Sequence, residues 1–219
     1  MTDTEDIPEV PEAAEAPTEA RAQFTYFSRW LHWVMAVAIV SMLFIGAAMV
    51  ASLGDYRLLL SVHKPLGVAV LALAVIRLVN RFTHRAPPHP PSMSRVERWS
   101  ATASESLMYG LMVAQPLIGW AMVSASDTPL VVGGVRLPAI APADPALFAA
   151  LREAHLVFGY ALFLLFTLHM LAVLFHVLVL RDGLLGRMAL WTLPRKSRLR
   201  RGRPAGRSPR CEPPDGRRA

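Results

Sequence analysis

The sequence predicts an all-α integral membrane protein, a four-helix bundle with both termini on the cytoplasmic side. Three observations lead there. The 219 residues are 53% hydrophobic and only 18% charged, with a mean hydropathy of +0.36, which is the composition of a membrane chain. Four stretches, about 27–51, 62–81, 104–123 and 153–180, are long and apolar enough to cross a hydrocarbon core roughly 30 Å thick at about 1.5 Å per helical residue. The basic residues also gather on one side of those stretches.

Residues 1–22 (MTDTEDIPEVPEAAEAPTEARA) are acidic, rich in Pro and Ala and without apolar periodicity, so they are expected to be a disordered tail. Their acidic start does not resemble the basic n-region of a signal peptide. The four-span domain is expected over 23–190. Its first span opens with FSRWLHWVMA, where Arg29, Trp30 and Trp33 read as interface anchors and His32 lies one turn inside them. His63 opens the second span, Lys64 can snorkel to the interface, and Arg77 and Arg81 lie toward the far end. The connection RFTHRAPPHPPSMSRVERW is extramembranous, and its His84 and His89 read as solvated loop residues. The third span, SESLMYGLMVAQPLIGWAMV, carries no histidine, and Pro116 is expected to kink it. A loop with Asp127, Gly133, Gly134, Pro138, Pro142 and Pro145 follows, then a short amphipathic helix over 144–152, then the fourth span. Residues 191–219 are expected to be a disordered basic tail.

Net charge is +7 but unevenly spread. Residues 1–30 hold seven acidic residues against Arg21 and Arg29, whereas residues 181–219 hold twelve Lys or Arg against Asp182, Glu212 and Asp215. Because the bases lie in a Pro/Gly-rich tail after the last span, anionic lipid headgroups explain them better than nucleic acid. The 77–98 loop carries five arginines. By the positive-inside rule this loop and both termini face the cytoplasm. The lone cysteine, Cys211, permits no internal disulfide, no iron–sulfur cluster and no C-x-x-C-H haem attachment, so any haem would be non-covalent and b-type. No nucleophile with a positioned base, phosphate-binding glycine loop or zinc motif is visible, which argues against a hydrolase.

The histidines carry the functional signal. His155 and His169 are 14 residues apart, about 21 Å along a helix and only about 40° around it, so they share a face at two depths. Ionisable groups within a span are costly and usually functional. The second and fourth spans run outside to inside, which puts His63 and His155 together near the outer face. His32 enters from the cytoplasmic side and matches His169 in the inner half. Two depth-matched pairs suit two stacked metal or haem centres, since a bis-histidine haem needs imidazoles from facing helices. Arg77 follows His63 by 14 residues, so it reaches the inner level, where it could pair with a haem propionate or snorkel. His176 lies seven residues beyond His169 on nearly the same face and competes by depth for the inner site. His169 is preferred because it leaves both centres within the hydrocarbon core.

At these residues the chain resembles the bacterial cytochrome b561 family, four-helix di-haem b-type membrane cytochromes. The matching stretches are RWLHW, HKPLG with its Arg77, LMYGLMVAQPLIGW, and H-x13-H followed by RDGLLGRM, spanning roughly residues 24–190. The resemblance implies His32, His63, His155 and His169 as axial ligands of two haem b groups. It also implies a multi-pass protein of the bacterial inner membrane. The chain departs from the family at ATASESLMYG, where a histidine is often found, and at Phe175, where a basic residue often precedes the histidine.

The resemblance implies an oxidoreductase or electron-transfer cytochrome working between a periplasmic one-electron donor and membrane quinone. For some members the reaction is superoxide oxidation with ubiquinone reduction. Around the outer sites Arg57, Lys64, Arg136 and Arg152 are balanced by Asp55, Asp127, Asp144 and Glu153. An anionic donor would therefore be steered only if the bases cluster near His63 and His155. Tyr109, Gln115, Trp120 and Ser124 are polar candidates for a quinone on the third span. The alternative is a haem-bearing membrane anchor that passes electrons for a partner dehydrogenase or hydrogenase. The expected partners are thus lipid, quinone, a small-molecule donor and a redox protein, and not nucleic acid.

Overall fold

The computed structural model describes residues 24–52, 54–84, 93–181 and 184–190. The tails expected at 1–22 and 191–219, with Cys211, and also His89, lie outside the described residues. Four helices follow one another: α1 (Tyr26–Ala51), α2 (Tyr56–Thr83), α3 (Arg95–Ala125) and α4 (Pro145–Phe175), the last continuing through a π-helical turn at His176–Leu180. All four are long and apolar enough to cross a membrane. Their outer faces expose large apolar side chains such as Val37, Phe44, Phe82, Phe163 and Leu164, as helices bathed in lipid do. The protein is a helical, multi-pass membrane protein.

Caps set the helix ends. The Thr25 hydroxyl accepts from Ser28 N at 3.2 Å and starts α1. Ser94 and Glu97 form a capping box, with Ser94 N donating to Glu97 Oε2 at 2.7 Å and Glu97 N to Ser94 Oγ at 3.2 Å. This starts α3 nine residues before the expected span. Asp144 Oδ1 accepts from Ala146 N at 2.7 Å and Leu147 N at 2.9 Å, with Pro145 in the first turn. The separate helix expected at 144–152 does not form. Those residues are the first turns of α4, because nothing between 152 and 153 breaks the backbone ladder. Pro65 and Pro116 lie inside α2 and α3 without ending them.

The loop between α3 and α4 also differs from expectation. It contains an antiparallel hairpin, β1 (Leu130–Val132) and β2 (Val135–Leu137), with Leu130 opposite Leu137. Its two-residue turn is Gly133 (φ 57°) and Gly134 (φ 83°), and a turn with two positive φ angles favours glycine at both places. The loop is tied to α3 by Trp120 Nε1 donating to Pro138 O (3.0 Å), Ile140 N to Ser124 Oγ (3.2 Å) and Asp144 N to Ala125 O (3.1 Å). At the opposite end, the segment after α4 folds back on α1. Phe24 N donates to Arg187 O (3.3 Å), Arg29 Nη1 to Ala189 O (2.8 Å) and Trp33 Nε1 to Met188 O (3.0 Å).

The helices pack in chain order, α1 on α2, α2 on α3 and α3 on α4. The backbone of α4 makes no extensive contact with α1 or α2. Between them lies one apolar cluster that includes Met35 and Ile39, Val70 and Ala74, Leu111 and Met112, and Leu162, one or two from each helix.

Candidate functional site

Although α2 and α4 do not pack closely, two of their histidines meet. The His63 and His155 rings meet in a T-shaped, edge-on arrangement with centroids 6.1 Å apart and planes at 74°. The Nδ1 atoms of both are buried and have no hydrogen-bond partner. An unpaired buried polar atom costs about 1–3 kcal/mol, so these rings are not kept here for hydrogen bonds through Nδ1 within the chain. A metal between two imidazoles sets their centres roughly 6–6.5 Å apart, from about 2 Å of metal–nitrogen bond on each side plus each ring's radius. The observed separation fits. Among the described residues no three His, Cys, Asp or Glu side chains gather to hold a bare ion. A two-imidazole site suits a group that brings its own equatorial nitrogens, as haem does.

The second level lies toward the other end. His32 on α1, His169 on α4 and Arg77 on α2 stand within electrostatic reach of one another. Arg77 Nη2 meets His32 Nδ1 at 3.1 Å, and Arg77 Nε donates to Tyr109 Oη at 3.0 Å. The guanidinium also stands 5.7 Å from the centre of the Tyr109 ring. A guanidinium only donates, so His32 Nδ1 is the acceptor here and Nε2 carries the ring proton. Ligation through Nε2 needs the opposite tautomer. Were His32 to hold a haem through Nε2, its bond from Arg77 would have to give way, while the Arg77 Nε bond to Tyr109 would not. Trp33 stands edge-on to His32, with ring centroids 5.9 Å apart. Its bond to Met188 O ties the segment after α4 to this level.

His176 opens the π-helical turn two turns beyond His169, with its ring against Phe175 at 6.2 Å and Glu97 of α3 within electrostatic reach. His84 is exposed just beyond α2. It caps α2, its N donating to Asn80 O at 3.1 Å and its Nδ1 lying 2.9 Å from Thr83 Oγ1.

The four polar residues of α3 read as quinone candidates all have partners within the chain. Tyr109 accepts from Arg77. Gln115 Nε2 donates to His155 O at 2.9 Å, Trp120 is tied to Pro138, and Ser124 Oγ donates to Trp120 O at 3.0 Å while accepting from Ile140. Sequence reasoning missed Gly119 and Gly159. A Cβ on Gly119 would lie 3.0 Å from His155 Cε1, and one on Gly159 would lie 3.3 Å from Gln115 Nε2. Gln115–Gly119 and His155–Gly159 are each one helical turn apart, which puts each pair on one face of its helix but does not say that the two faces meet.

At the end of the bundle that carries His63 and His155, three acidic residues are used locally. Asp144 caps α4, Asp55 accepts from Ser52 Oγ at 3.1 Å, and Glu153 pairs with Arg152 at 3.8 Å across an exposed contact. Among the described residues Arg57, Lys64 and Arg136 form no ion pair.

Over residues 23–190 the chain matches the model of a family described as prokaryotic cytochrome b561. It is 29% identical over 127 residues to the probable superoxide oxidase CybB of Yersinia pestis, covering 58% of this chain and 72% of that protein. It is 27% identical over 176 residues to cytochrome b561 homolog 2 of Escherichia coli strain K12, covering 78% of this chain and 93% of the other.

Proposed function

The chain belongs to the prokaryotic cytochrome b561 family of haem b-binding membrane electron-transfer proteins, and from that premise we propose that it moves electrons across the bacterial inner membrane through two b haems. The donor is a one-electron reductant on the outer face, for which superoxide is the first candidate, and the acceptor is the quinone pool. The observation that carries this reading is the His63–His155 pair, ring to ring at 6.1 Å with both Nδ1 atoms buried and unpaired.

His63 and His155 are the proposed axial ligands of the outer haem, and His32 and His169 those of the inner one. Bound haem supplies a reversible one-electron carrier at each level. The chain's own residues do the rest. Arg77, held by Tyr109, offers a positive charge to an anionic group at the inner level. The apolar cluster around Leu162 and Val70 keeps water from the space between the levels. Lys64, next to His63 in the chain and without an ion pair among the described residues, is the base best placed to attract an anionic donor, the loop charges otherwise balancing. Such attraction weakens with salt. The name of the Yersinia pestis relative supports superoxide as that donor. In balance, two superoxide anions each lose one electron to become oxygen, and the two electrons with two protons convert one quinone to quinol.

The test is a dithionite-reduced minus air-oxidised spectrum of the detergent-purified chain, with haem b counted per polypeptide. Two haems, reduced by a superoxide source in a manner abolished by superoxide dismutase and reoxidised by a soluble ubiquinone analogue, are expected. Two haems reduced only by a co-purifying flavin or iron–sulfur subunit would replace this reading with the membrane-anchor one. A folded chain with no haem would overturn both.

A further inference from the structure

The two-haem reading leaves the residues of α3 that face His155 without a role. Gln115 and Gly119 lie one turn apart on α3, and His155 and Gly159 one turn apart on α4. The two pairs interlock reciprocally. Gly119 receives the His155 ring, because any side chain there would meet Cε1 at 3.0 Å and Nδ1 at 3.4 Å. Gly159 receives the Gln115 amide, because a Cβ there would lie 3.3 Å from Nε2. The amide then donates to the His155 carbonyl at 2.9 Å, using a lone pair that the α4 ladder leaves over. Gln115 Oε1 is buried without a partner, so the side chain is pinned by its donor end. An orphaned acceptor is a cost that lipid-buried helices rarely accept without return.

We propose that Gln115, Gly119 and Gly159 form a cradle between α3 and α4 that sets the plane of the His155 ring against His63 and thereby tunes the outer redox centre. The inference rests on the two-haem reading. The glycine at 119 leaves room for the Cε1 and Nδ1 atoms of the ring, and the Gln115 bond fixes the His155 backbone against α3. Together they hold the ring at 74° to that of His63 while leaving its nitrogens unengaged by protein. The relative plane of two axial imidazoles is one way a protein sets the electronic structure of a low-spin iron, beside ligand identity, hydrogen bonding and burial. Gln115, Gly119 and Gly159 touch no reacting atom, so they are positioning residues.

The test uses the purified holoprotein, with electron paramagnetic resonance of the ferric state and a potentiometric titration. His63→Ala first identifies which low-spin signal belongs to the outer centre. Near-perpendicular axial planes predict a highly anisotropic signal for it in the wild type. In Gly119→Ala the outer signal is expected to become less anisotropic and the outer midpoint to move, with two haems retained and the inner signal unchanged. Gly159→Ala, which displaces the amide, is expected to move the same signal. Two-haem variants whose outer signal and midpoint match the wild type, or whose two centres shift equally, would overturn the cradle. Should Gly119→Ala lose the outer haem, Gln115→Leu decides, since it removes the amide and leaves both glycines in place: a shifted outer signal supports the proposal and an unshifted one overturns it. A wild-type chain with fewer than two haems would instead overturn the reading on which the cradle rests, so the two failures are told apart.

Discussion

Replacing Tyr109 by Phe removes one atom from the inner level and little else. The hydroxyl that accepts from Arg77 Nε at 3.0 Å is lost, while the ring 5.7 Å from the guanidinium stays. A hydrogen bond to a charged group is worth about 1.5–3 kcal/mol in soluble proteins. Polar pairs between membrane helices average about 0.6 kcal/mol and reach about 1.7, because the unfolded chain in lipid also finds partners. The Arg77–Tyr109 bond is charge-assisted and partly buried, which places it toward the upper end, at about 1–1.5 kcal/mol. Arg77→Gln deletes the same bond together with the contact to His32, so its single-variant cost is larger. The double-mutant cycle isolates the shared part. We expect a coupling of about 1 kcal/mol, measured by reversible unfolding in mixed micelles and followed by helicity. Groups that do not interact add within about 0.3–0.5 kcal/mol, so a coupling inside that band would refute the idea that Tyr109 holds Arg77.

Three further outcomes are expected. His63→Ala and His169→Ala should each lower the haem b count from two to one, and reduced-minus-oxidised spectra should show that different haems are lost. Ser94→Ala, which breaks the capping box at the start of α3, should cost about 1 kcal/mol in the same unfolding assay without changing the haem spectrum. Gly134→Ala places a side chain at φ 83° in the hairpin turn and should cost about 1–2 kcal/mol of local stability, read as faster amide exchange over 130–137, whereas Arg136→Ala should leave that exchange alone.

Hydropathy read from the sequence located four helices but not their ends, for a physical reason. Apolar runs report the hydrocarbon thickness, whereas caps report where the backbone finds its first hydrogen-bond partners. Ser94 with Glu97, and Asp144 with Pro145, therefore carry α3 and α4 well beyond the apolar runs. The hairpin at 130–137 escaped because three-residue strands offer almost no alternation to detect, although Gly133–Gly134 between Val132 and Val135 was a usable turn signal. The histidines were legible because each is a rare residue at a countable depth on a regular helix. Their neighbours were not. Nothing in the spacing of α3 says that Gln115 reaches a carbonyl of α4, or that Gly119 is empty so that an imidazole can fill the space. Those facts depend on how two helices are rotated against each other, which one chain's periodicity does not contain. Tyr109 and Gln115 were singled out as polar, but their partners in the chain, Arg77 and the His155 carbonyl, were not legible for the same reason.

On the two-haem proposal, the layer between the two histidine levels would let the bundle pass electrons without offering protons a path. Val70 is seven residues from both His63 and Arg77, and Leu162 is seven residues from both His155 and His169. Each is thus about two helical turns, roughly 10 Å, from either level. Ile39 stands seven residues beyond His32 on α1, and Leu111 and Met112 fall between Tyr109 and Gln115 on α3. These residues are among the most buried in the bundle, from 3% exposed for Val70 to 7% for Leu111. None carries a strong hydrogen-bond donor or acceptor, so no chain of exchanging protons can thread the layer. An electron needs no such chain over about this distance. The stand-off of α4 from α1 and α2 belongs to the same logic. Close packing along the whole length of the bundle would leave no room for planar groups at the two levels, and a gap along the whole length would admit water. Apolar contact in the middle, where Leu162 joins the cluster with Phe158, Leu165 and Phe166 packed against it, would satisfy both requirements.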